Sequence, residues 1–138
     1  MTETTVPQDP STILAMMPFA TQLGVELDTV TPSEVTGRVA WAPELCTTFG
    51  LLHGGVLMAT ADTVGAVCAF LNLPQGATTS TIESKTNFFR GLSEGTVHAT
   101  SRPLHAGRTT IVVQTDLLDD RGKRLAQVTQ TQAVLAPS

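Results

Sequence analysis

The stretch GLLHGGVLMATADTVGA, residues 50–66, decides how the chain is read. A histidine and two glycines open a run that is almost wholly apolar and continues through Val67-Cys68-Ala69-Phe70-Leu71 to the turn signal Pro74-Gln75-Gly76. This spacing predicts a helix from Gly54 to about Leu71, apolar on nearly every face and therefore buried on most of them. Between His53 and Glu83, Asp62 is the one charged residue. A carboxylate buried without a partner is expensive. Something must offset that cost, and the offset is a candidate for function.

Outward from the helix, the chain reads as short extended pieces. Residues 1–10, MTETTVPQDP, are polar with two prolines and read as a mobile tail, leaving 11–138 as a single domain. Ser11 is a plausible N-cap for a short helix from Thr12 to about Met17, which Pro18 should stop; Phe19, Leu23, Val25 and Leu27 then lead into extended chain. Two alternating runs flank Thr31-Pro32-Ser33-Glu34 and predict a hairpin, its outer strand near Val35 to Trp41. Pro43 to Gly50 reads as a loop. Strands are expected over 78–89, 95–104, 108–118 and 124–135, with Asp119-Asp120-Arg121-Gly122 as a turn before the last. A long buried helix between a hairpin and several antiparallel strands gives an α+β class, an antiparallel sheet wrapped around one central helix. A second copy would cover what remains of the helix.

Bulk composition excludes several roles. The 138 residues suit one core, and 41% hydrophobic with 14% charged is a globular balance. A net charge of −4 without a basic run argues against nucleic acid as a partner. No apolar stretch is long enough for a membrane span, and no secretion signal is visible. Cys46 and Cys68 have neither metal spacing nor a disulfide pattern, so no metal is expected and a reduced cytoplasmic setting is the default.

At Phe49-Gly50-Leu51-Leu52-His53-Gly54-Gly55, with Asp62 nine residues after His53, the sequence resembles the hotdog-fold acyl-CoA thioesterases. The similarity extends through Asn87-Phe88-Phe89-Arg90 and Leu104-His105-Ala106-Gly107-Arg108-Thr109-Thr110 to the last strand. It is nearest the branch of the phenylacetate-pathway and 4-hydroxybenzoyl-CoA thioesterases. The resemblance implies hydrolysis of a small acyl-CoA, including aryl ones, to free acid and CoA. Coenzyme A would enter only as part of the substrate, with no other cofactor. It also implies a homo-oligomer: a dimer whose active sites lie at the interface, often paired into a tetramer. A non-catalytic acyl-CoA-binding protein or a hotdog hydratase are the alternatives, but the Asp–His motif of the hydratases is not found here.

Chemistry assigns roles within that frame. Backbone N–H groups at a helix N-terminus polarise a carbonyl and hold an oxyanion, and glycine lets a substrate come close. By resemblance, the Gly54 N–H is the principal donor, with Gly55 beside it. Asp62 is either a nucleophile or a general base. It lies eight residues after Gly54, about 12 Å along a helix, so one carbonyl does not easily touch both groups of one chain. Two chains with antiparallel helices solve this. His53 would orient the loop. Two departures from the branch stand out. Thr47 takes a place usually held by Asn or Gln, six residues before His53, and Ala66 replaces a threonine four residues after the acid. Ser80 or Thr81 would supply a hydroxyl instead. Phe88 and Phe89 are candidates for the acyl-pocket wall. Arg90 and Arg108 are candidates for the CoA phosphates, with Gly107 and Thr109 on the adjoining turn.

Overall fold

The computed structural model describes residues 9–137, so the expected tail lies outside the described residues except for its last two positions. Both of those are structured. The Thr12 N–H donates to the Asp9 carboxylate (3.0 Å), and Asp9 caps α1, Pro10–Ala15. Asp9, not Ser11, is the cap. A carboxylate reaches that amide as well as a hydroxyl does, and Pro10 then falls in the first turn, where its missing N–H costs nothing. Pro18 likewise begins a helix instead of only ending one. It stands in the first turn of α2, Pro18–Leu23, where extended chain was expected, and Gly24 (φ 83°) closes α2 in the left-handed region.

Six strands follow: β1 (Glu26–Val30), β2 (Val35–Ala40), β3 (Thr78–Phe88), β4 (Thr96–Ala106), β5 (Thr110–Leu118) and β6 (Arg124–Leu135). They form one antiparallel sheet in the order β1-β2-β4-β5-β6-β3. The outer strand of the hairpin is therefore β1, not the Val35 strand. β2 buries Val35, Gly37 and Val39 and pairs on both sides, whereas β1 is short and carries exposed Glu26 and Asp28. The register shifts between Pro103 and His105, a bulge next to a proline within the strand.

The central helix α3, Gly54–Phe70, packs against every strand. Its Gly54 lies against Phe88 and its Asp62 against Thr81, so it runs along β3. A rod about 10 Å across that runs along strands about 4.8 Å apart touches six of them only if the sheet curls around it. This is the hotdog fold. Val39, Val97, Ile111, Val113 and Val128 bury against Leu57, Ala61, Val64 and Cys68 of the helix. Burial pushes the Cys68 thiol up to about 11, so it is inert packing, and both cysteines are free. One stripe of α3 stays open: Gly55, Met58 (38% exposed) and Asp62, spaced three or four apart, and Phe70 (40%) two turns further on. Among the described residues no helix is long and apolar enough to cross a membrane.

Candidate active site

The loop before α3 is tied down at several points. The Leu52 N–H donates to the Leu92 carbonyl and the His53 N–H to the Leu45 carbonyl, each at 2.9 Å. The Trp41 indole N–H donates to the Gly50 carbonyl, also at 2.9 Å. His53 is the N-cap: the Gly55 N–H donates to its Nδ1 (2.8 Å). This satisfies the second glycine amide and leaves that of Gly54 without an acceptor among the described residues. The Phe88 ring lies over Gly54, where an added methyl would stand 3.2 Å from ring carbons. The site so formed is a helix N-terminus with one free donor under an aromatic wall.

Asp62 differs from expectation in two ways. It is exposed on the chain, because the open stripe of α3 passes through it. It also has partners. Its Oδ1 accepts from Thr81 Oγ1 (3.2 Å) on β3 and from Gln130 Nε2 (3.1 Å) on β6. Gln132 Nε2 donates to Thr81 Oγ1 (2.8 Å) and so directs the threonine proton toward the carboxylate. A search near Asp62 along the sequence misses Gln130 and Gln132, since strand pairing delivers them from the chain's end. The signal was present in LAQVTQTQAVL. Its alternation puts both glutamines on the same face as Val128, and an amide on a core face needs a reason.

The remaining candidates divide. Thr81 faces the helix; Ser80, its neighbour on the strand, takes the opposite face and is exposed. Thr47 is exposed, and its hydroxyl makes no hydrogen bond among the described residues. Phe88 and Phe89 are half exposed where β3 runs out. Arg90 lines an open cleft with Glu94, Asp119 and Arg121. Gly107, Arg108 and Thr109 form the β4–β5 turn, beside the start of β3, because Thr110 and Ser80 both pair with Ala133. β3 thus separates Arg90 from Arg108 by about 30 Å, and one chain does not bring them together. Phe49, which opens the matching motif, is 94% exposed and holds a positive φ of 63°. A bulky side chain in that conformation is strained.

Residues 49–126 match the model of the thioesterase superfamily. The chain belongs to that superfamily. As a thioesterase it is a thioester hydrolase, and its relatives carry names of the same kind. It is 27% identical over 124 residues to a Mycobacterium tuberculosis protein whose esterase name is itself provisional, covering 88% of this chain and 89% of that one. It is 32% identical over 87 residues to the 1,4-dihydroxy-2-naphthoyl-CoA hydrolase of Escherichia coli, covering 63% and 64% of the two chains. The structure of a point mutant of a Pseudomonas aeruginosa thioesterase superposes with a TM-score of 0.87 at 28% identity, covering 96% of each chain.

Proposed function

We propose that this thioesterase hydrolyses a small acyl-CoA, aryl ones included, at sites shared between two copies of the chain. The observation that carries this is the placement of the two half-sites. Gly54 lies beneath Phe88 at one end of β3, and Asp62 meets Thr81 toward the other. β3 is an edge strand of the sheet, with pairing on one side only. A twofold axis through its middle would pair it with its copy and bring one chain's Asp62 to the other's Gly54. The Gly54 N–H would then polarise the thioester carbonyl, and Asp62 of the facing chain would attack it or activate water. The same axis would bring Arg90 and Arg108 of different chains together, where their guanidinium groups suit the CoA phosphates. Gly107 and Thr109 would line the same entrance. Dimers pairing into a tetramer fit the uncovered Phe49. Cys46 and Cys68 are unpaired with each other, which fits a cytoplasmic setting. The Escherichia coli relative's name, a hydrolase of an aromatic acyl-CoA, supports the aryl side of the substrate range.

Thiol release from benzoyl-, phenylacetyl-, hydroxybenzoyl- and aliphatic acyl-CoAs tests this. Wild type should turn over at least one, and Asp62→Asn should lose about 10²- to 10⁴-fold in kcat. Tight acyl-CoA binding without turnover by wild type would overturn the proposal. A single turnover in H₂¹⁸O bears on the two roles: label in the Asp62 carboxylate marks the nucleophile, with water attacking the anhydride at Asp62, whereas label in the product alone is common to the base and to water attack on the acyl carbonyl of the anhydride.

A further inference from the structure

We infer that Gln130 is a positioning residue that fixes Oδ1 of Asp62 and leaves Oδ2 as the reacting oxygen, and that residue 65 is glycine to admit the Gln130 amide. The inference rests on the proposed role of Asp62. Both donors that reach this carboxylate, Gln130 Nε2 and Thr81 Oγ1, converge on the same oxygen. Oδ2 has no partner among the described residues. A carboxylate held at one oxygen from two strands cannot rotate freely, and Asp62 itself stands on the open stripe of α3.

Stability does not explain the glutamine. Gln130 is fully buried, at 0% exposure, and its Oε1 has no hydrogen-bond partner among the described residues. An unsatisfied buried amide oxygen costs free energy that a leucine of similar size would not. Among the described residues the single hydrogen bond that this side chain makes is the one to Asp62. Gly65 shows the same bias. It sits in the interior of α3, where alanine is the better helix former. A methyl built there would overlap the Gln130 amide, 2.8 Å from its Cδ. Two residues that each weaken their own element are thus explained together by one contact.

Steady-state thiol release from benzoyl-CoA, or from whichever acyl-CoA of the panel wild type cleaves fastest, tests this together with thermal melting. Gln130→Leu should melt no lower than wild type, keep KM within about twofold and lose about tenfold to hundredfold in kcat. Gly65→Ala should lose kcat by a similar factor despite its better helix propensity. In Gly65→Ala/Gln130→Ala the methyl enters space that the amide has left, so kcat should fall no further than in Gln130→Ala alone. Wild-type kcat in Gln130→Leu, or losses that multiply in the double variant, overturns the inference. If Gln130→Leu fails to fold, wild-type kcat in Gly65→Ala does the same. Asp62→Asn run alongside separates the failures. Activity there removes the role of Asp62 itself; inactivity there with full kcat in Gln130→Leu removes only the positioning.

Discussion

The two edges of the sheet are finished differently. β1 is five residues long, its Glu26 and Asp28 are both engaged by Arg38 of β2, and α1 packs against it. β3 is eleven residues long, carries charge only at Glu83 and Lys85, and exposes Ile82 beside its bulge. A free edge is a template for another strand, and proteins that stay single blunt it with short length, charge or a cover. β1 has all three. β3 has little of any, and it is also the strand that touches both Gly54 and Asp62. The edge left open for pairing is the edge that holds the half-sites.

Four substitutions would break or sharpen this contrast. Ile82→Asp puts a new carboxylate on the open edge, twice over across a twofold axis. It should give monomers by light scattering and lower thiol release by about hundredfold or more. A dimer of full activity would show that β3 is not the joined edge. Gly54→Ala pushes a methyl into the Phe88 ring and toward the substrate carbonyl; kcat should fall at least about tenfold with the dimer intact. His53→Ala removes the cap of α3, at about 1 kcal/mol, and should lower Tm by about 3–5 °C in a melting scan. Arg38→Ala on the closed edge should leave oligomeric state and activity unchanged and shift Tm by less than about 3 °C, because exposed ion pairs contribute little. The β5–β6 turn, outside the strand pairing at either edge, gives the smallest effect. The Lys123 and Arg121 N–H groups, with the charge of Arg90, hold Asp119 below the usual carboxylate range. That support is fully present above the ordinary aspartate range and is lost as pH falls through the lowered value. Amide shifts of Arg121 and Lys123 should therefore stay constant through mild acid and move only below it.

Local chemistry made much of this legible. The helix from Gly54, the Thr31–Glu34 hairpin and the Asp119–Gly122 turn follow from caps, breakers and alternation read over a few residues. The error at Asp9 arose where two residues offered the same cap, and that at Pro18 where one proline serves both to end a helix and to open the next; the sequence does not rank these readings. The site was half legible. The glycines and Asp62 stand out because they break an apolar run. Gln130 does not, since its meaning depends on a contact 68 residues away that only the sheet order creates. The exposure of Asp62 was hidden for a related reason: a helix apolar all round does not announce which stripe its own sheet leaves uncovered.

The separation of the two half-sites along β3 has a consequence in genetics. If each working site draws Asp62 from one chain and Gly54 from another, a lesion in either residue kills every site of a pure assembly. Mixed assemblies behave otherwise. A dimer of one Asp62→Asn chain and one Gly54→Ala chain collects both lesions in one site and leaves the other intact. Two inactive alleles expressed together would complement each other, and the ceiling for such a dimer is half the wild-type rate.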